Sequence, residues 1–125
     1  MGVGVQDLLQ LAESLVADPR DEIAWRAAAS RAYYAGHHAC DTACTRHGVP
    51  PATSGWTRPH KMIIRELLGI RIANAAGEAK LRQAGRLLNQ ILDMRTIADY
   101  EINGTFTSNQ AQQAIALAKQ VLALA

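Results

Sequence analysis

The run Arg31-Ala32-Tyr33-Tyr34-Ala35-Gly36-His37-His38 sets an arginine, two tyrosines and two histidines into a stretch that is otherwise small residues. These types together suit phosphodiester chemistry on RNA. A histidine near neutral pKa can take the proton of a 2′-hydroxyl. An arginine can stabilise the charge that develops on the phosphate. No metal is needed when the 2′-oxygen is the nucleophile, and no cofactor is expected. The candidate pair is Arg31 with His38 or His37. A helix turns about 100° per residue, so Arg31, Ala35 and His38 share a face, with Tyr34 and Ala27 beside it. His37 leans to another face, with Ser30, Tyr33, Asp41 and Cys44.

A second oddity lies further along. Leu81, Leu88, Arg95 and Ile102 recur at intervals of seven, which puts Arg95 on the stripe expected to face a core. A buried charge needs a partner. Asp99, one turn later, is at ion-pair spacing, and Tyr34 or a neighbouring helix could add more. A plain structural account competes with a functional one. Such a pair can fix helix register, and tyrosines are more often core or interface aromatics than site residues.

Two other readings stay open. His37, Cys40, Asp41 and Cys44 have helical spacing suited to convergent metal ligands, with His60 as a donor from another helix. Against it, no Cys-x-x-Cys pair is present, and two small cysteines fit a core equally well. Alternatively, the alanine-rich run allows close approach of a partner helix. The protein would then be a binding module, with Arg31 and Arg95 holding a phosphate or nucleotide.

The elements that must position these residues are helices. Leu8, Leu9, Ala12, Leu15 and Val16 predict a first helix over 6–17, broken at Asp18-Pro19. A long second helix is expected from about Asp21 to His47, stopped by Gly48 and Pro50-Pro51. Residues 48–58 read as a loop whose Trp56 packs onto the bundle. A third helix spans about Pro59 to Leu68, and 69–76 are a connector or its continuation. A fourth runs from about Glu78 to Ile102 and ends at Asn103-Gly104. A fifth, capped by Ser108, reaches about Leu124. The expected fold is an all-α, antiparallel four- to five-helix bundle with two long central helices, one domain over 1–125.

Composition narrows the classes. The chain has 125 residues, 5% aromatics and a net charge of +2, which permits RNA contact without demanding it. Cys40 and Cys44 are four apart on a helix, an awkward disulfide geometry that suits a reducing cytoplasm. No signal-like segment or apolar run of membrane-spanning length is apparent, so no membrane association is expected.

The segment Ser30-Arg31-Ala32-Tyr33-Tyr34-Ala35-Gly36-His37-His38-Ala39 resembles the signature of the HEPN superfamily (higher eukaryotes and prokaryotes nucleotide-binding domain), in its branch of small stand-alone prokaryotic proteins. His60-Lys61 after a Pro/Gly loop, and Leu92-x-x-Arg95-x-x-Ala98-Asp99-Tyr100, resemble the same branch and follow in the same order. The resemblance implies a helical bundle that pairs into a homodimer, with a polar cleft near the interface. It implies a role in a toxin–antitoxin system, beside a co-encoded minimal nucleotidyltransferase or another antitoxin. Members are either metal-independent ribonucleases or non-catalytic partners of RNA or nucleotides. The nuclease members carry an arginine and, a few residues on, a histidine, typically on a late helix. Here Arg95 is followed by Asp99 and Tyr100, and the arginine–histidine match falls on Arg31 and His37 or His38. The expected function is therefore RNA or nucleotide binding, with little or no catalysis, through Arg31, Tyr34, His60, Arg95, Asp99 and Tyr100. The alternative is an endoribonuclease toxin using Arg31 and His38.

Overall fold

A computed structural model describes residues 2–17, 21–49 and 59–125. They form five helices: α1 (Val5–Ala17), α2 (Glu22–Arg46), α3 (His60–Leu68), α4 (Ala75–Tyr100) and α5 (Ser108–Leu124). Asp18-Pro19, Pro50-Pro51 and Trp56, read from sequence as breaks and a packed loop residue, lie outside the described residues. Among those described there is no strand, and no helix is long and apolar enough to cross a membrane.

Local chemistry sets the helix ends. The Asp21 carboxylate accepts from the N–H of Ala24 at 2.8 Å and starts α2. At its other end the N–H groups of Gly48 and Val49 donate to the carbonyls of Thr45 and Cys44, and Gly48 takes φ +79°. That left-handed turn is open to glycine and strained for most other residues, so the helix stops at the expected place. Asn74 caps α4, which begins three residues before the expected Glu78. Residues 69–74 are thus a connector. It is held by Glu78, which accepts from the N–H of Ile72, and by Arg82, which donates to the carbonyl of Ile70. For α5 the cap is Thr107, one residue before the expected Ser108, in a reciprocal box with Gln110.

The central helix is α2, and it is packed through alanine. Ala28, Ala29, Ala32, Ala35 and Ala43 are fully buried, which lets neighbouring backbones come close. Facing positions define the directions. Arg26 reaches the carbonyls of Ile97 and Ala98, while Gly36 lies against Leu88 and Ile91, so α2 and α4 are antiparallel. His60 meets the Arg95 level of α4 and Ile70 the Arg82 level, so α3 is antiparallel to α4. The α3–α4 crossing is especially tight. A Cβ on Gly85 would sit 2.9 Å from the Leu67 Cβ. Ile63, Leu67, Leu88, Ile91, Phe106 and Val121 fill the core. Burial of each such side chain contributes about 1.5–3 kcal/mol.

Two details of the sequence reading are corrected. Ile102 lies beyond the end of α4 and is 73% exposed, so the seven-residue stripe stops at Arg95. Ala35 is buried whereas Arg31 and His38 are exposed. The side chain between them on the outer face is Tyr34, because it is Tyr34 that α2 turns toward the gap between α3 and α4.

The far end of α4 is secured by a residue that no motif marked. The Arg26 guanidinium donates to the carbonyls of Ala98 at 2.9 Å, Glu101 at 3.1 Å and Gly104 at 2.7 Å. Its Nε donates to Glu22 at 3.0 Å, and the group lies over the Phe106 ring. The Ala98 carbonyl is one that a helix C-terminus leaves without a partner, while that of Glu101 also accepts from the Gly104 N–H.

Candidate functional site

The antiparallel packing of α2 and α4, with α3 against α4, gathers the sequence-predicted residues around one ring. Tyr34 is half-buried. Its ring centre is 6.0 Å from that of His60, 6.3 Å from His37 and 6.4 Å from His38. The guanidinium of Arg31 is 5.8 Å from it and that of Arg95 5.6 Å. These distances are within reach of cation–π attraction.

Of the two arginines at this ring, Arg95 is the more enclosed. Its guanidinium also lies over Tyr33 and Tyr100, at 5.9 and 5.5 Å. One Nη donates to the Tyr34 hydroxyl at 3.2 Å. Its Nε is 2.9 Å from an Asp99 carboxylate oxygen, an ion pair not aligned as a hydrogen bond. The same Asp99 oxygen accepts from Ser30. Asp99 and Tyr34 are the partners that the spacing suggested. Burial works against the charge of Arg95, but Tyr34, Asp99, Tyr100 and Tyr33 outweigh it and raise its pKa.

Behind Tyr34 lies a buried polar knot. Tyr33 is fully buried, and its hydroxyl is 2.6 Å from His60 Nδ1 and 3.4 Å from His37 Nδ1. The two Nδ1 atoms are 3.4 Å apart. Burial, then His60 and His38, push the His37 pKa down to about 4, against an opposing pull from Asp41. Burial, then Arg95, lowers that of His60. Burial raises that of Tyr33, with Arg95 opposing. At neutral pH all three groups are uncharged. His37, considered from sequence as a base beside Arg31, is 3% exposed and engaged with this knot.

Outside the knot, His60 and Arg95 line an open cavity of about 510 Å³ together with Lys61, Asn89, Leu92, Asp93 and Thr96. Lys61 and His60 stand in the first turn of α3, whose dipole adds positive potential there. The groups there can donate hydrogen bonds to an anion and compensate its charge. Asn89, Asp93 and Thr96 left no signal in the sequence beyond being polar positions on the exposed side of α4. His38 lines a different depression, with Asp41, Thr42 and the start of α1. So the predicted residues cluster round Tyr34, but His38 and Arg95 face separate openings.

The metal reading finds little in this geometry. Among the described residues no three of His, Cys, Asp or Glu converge as a ligand set. Cys40 and Cys44 are buried free thiols, and burial, with Cys44 adding, pushes the Cys40 pKa up to about 12. That thiol is far from the thiolate a metal would take.

The chain matches no family model, no curated protein and no solved structure.

Proposed function

We propose that this protein is a HEPN-type helical bundle that binds the phosphate of an RNA or nucleotide in the cavity of His60, Lys61 and Arg95, without cutting it. The observation that carries this is the state of Arg95. It is permanently charged and held among three tyrosine rings. Among the described residues its one hydrogen bond goes to Tyr34, and its guanidinium borders the cavity. Planar donors in a fixed fork suit a phosphate. In this reading Tyr34 and Asp99 orient Arg95, Tyr100 covers its outer side, and Arg31 extends the positive surface. The protein acts as a homodimer and works with a co-encoded nucleotidyltransferase or other antitoxin, as the resemblance implies.

Fluorescence anisotropy with a labelled single-stranded RNA at low salt tests the reading. The expected result is binding that weakens with salt, as counterions compete for the phosphates. Arg95→Ala should lose about ten-fold or more in affinity, and Lys61→Ala a few-fold. Wild-type protein that ignores RNA and nucleotides, or an Arg95→Ala variant that binds equally well, rejects it.

A ribonuclease reading is favoured by one observation. Arg31 and His38 are both exposed on either side of Tyr34. Incubation with RNA in EDTA separates the two. Cleavage lost in both Arg31→Ala and His38→Ala would establish the nuclease, and intact RNA would leave the binding role.

A further inference from the structure

The buried knot behind the cavity contains a hydroxyl and two ring nitrogens whose lengths differ enough to order the protons. The Tyr33 hydroxyl is fully buried and needs an acceptor, and His60 Nδ1 at 2.6 Å is much nearer to it than His37 Nδ1 at 3.4 Å. The phenol therefore gives its proton to His60 Nδ1, which must present a lone pair. His37 Nδ1 lies 3.4 Å from both the Tyr33 oxygen and His60 Nδ1. An N–H on His37 Nδ1 faces two acceptors there, whereas a lone pair would face two others. That arrangement gives a chain of donation from His37 through Tyr33 to His60.

We infer that Tyr33 is a positioning residue that locks His60 as the neutral tautomer with its proton on Nε2, held as a hydrogen-bond donor for a phosphate oxygen in the cavity. This rests on the phosphate-binding reading above. His60 lines the cavity and its Nδ1 is engaged with the bundle interior, so Nε2 is the nitrogen left to serve a ligand. Neutrality follows from the surroundings. The groups facing His60 are Tyr33, Tyr34 and His37 from α2 and Arg95 from α4, with Lys61 and Asp93 in the same cavity. A second positive charge beside Arg95 is disfavoured, and a donor that needs no proton uptake avoids it. Such a site keeps its strength across neutral pH, unlike one that depends on an imidazolium.

Two measurements test this. Long-range proton–nitrogen correlation spectra of the wild-type protein report the tautomer directly. His60 should show a protonated Nε2 and an unprotonated Nδ1 at pH 7.5. RNA affinity, measured on phosphodiesters whose charge is constant over this range, should be flat between pH 6 and 8. Tyr33→Phe removes only the hydroxyl. It should let the His60 tautomers interchange, raise the His60 pKa, weaken binding at pH 7.5 by about three- to ten-fold and make it strengthen as pH falls. A general loss of packing would not create that pH profile. A wild-type His60 protonated on Nδ1, or a Tyr33→Phe profile as flat as wild type, overturns the inference. Wild-type protein without RNA affinity would reject the binding reading, while the spectrum would still decide the proton positions.

Discussion

Arg26 and Arg95 sit at two levels of the same α2–α4 interface, and their side chains are almost equally buried, at 12% and 15% exposure. Burial does not tell them apart. Their donors do. Arg26 gives its N–H groups to four carbonyls at and just beyond the end of α4 and to Glu22, with an aromatic ring beneath. Those bonds hold two segments of chain together and leave little for a ligand. Arg95 is surrounded by rings that attract its charge, spends one hydrogen bond on the Tyr34 hydroxyl and pairs its Nε with Asp99, and it borders an open cavity. A partly buried arginine is structural when backbone oxygens take its hydrogens and available when aromatic faces hold it.

The comparison breaks most visibly under truncation. Arg26→Ala leaves the carbonyls of Ile97, Ala98, Glu101 and Gly104 without their charged donor. Hydrogen bonds to charged groups contribute about 1.5–3 kcal/mol each, and some of these carbonyls can turn to water. A net loss of about 3 kcal/mol is expected, or roughly 10 °C in Tm by circular dichroism. Below that Tm, RNA affinity should stay within two-fold of wild type. Arg95→Ala should do the reverse, losing affinity first and Tm by only a few degrees. If the two variants are indistinguishable in both readouts, the division between clamp and binding arginine is wrong.

The contrast also marks what the sequence could reveal. The all-helical class and the Gly48 stop were legible because glycine placement and apolar period are local properties. Arg95 was legible because a charge on an apolar stripe violates the pattern, and Asp99 because ion-pair spacing within one helix is fixed by the helix itself. Arg26 was not, since its partners are carbonyls over seventy residues away in sequence, and a backbone oxygen has no letter. The Tyr33–His60 bond was hidden for a related reason. It depends on α3 returning along α4 at the right height, with Leu67 packed so close on Gly85 that a Cβ there would have no room. Ala35 misled because helical spacing alone cannot say which of two adjacent residues, Tyr34 or Ala35, marks the middle of an exposed face.

Acid should separate the two levels next. The Arg95 level carries the buried neutral His37, and the Arg26 clamp has no histidine among its partners. His37 has its folded pKa lowered from 6.5 to about 4. The unfolded chain then binds more protons between these values, so stability is complete above about pH 6.5 and declines as pH falls toward 4. The shift corresponds to on the order of 3 kcal/mol, and His60, lowered in the same direction, adds to it. Urea melts from pH 7 to 4 should show this decline, and His37→Gln should flatten it. A wild-type midpoint that holds steady to pH 4.5 would mean His37 is charged within the fold. Gly85→Ala probes the same level from the packing side. Its methyl would meet the Leu67 Cβ and the Leu68 backbone, which cannot swing away as a side-chain tip could. Overpacking costs about 1–3 kcal/mol, partly offset by the better helix propensity of alanine. A net loss of about 1–2 kcal/mol is expected, with weaker RNA binding because α3 carries His60 and Lys61. A stabilised variant would show that the two helices have room to part.

Ser30 gives the smallest effect and the finest test, because it lies one turn from Arg26 and touches the Arg95 level. Its hydroxyl donates to the Asp99 oxygen that also pairs with Arg95, at 3.3 Å, a long bond to a carboxylate that water can reach. Ser30→Ala removes that bond and leaves Asp99 to Arg95 and solvent. A long hydrogen bond to a partly exposed acceptor contributes about 0.5 kcal/mol, so Tm should fall by no more than about 2 °C. RNA affinity should change less than two-fold, since the rings and the Tyr34 hydroxyl still fix the guanidinium. A loss as large as that of Arg95→Ala would shift the weight of the comparison. It would mean that the orientation of Asp99, rather than the aromatic enclosure, keeps Arg95 facing its cavity.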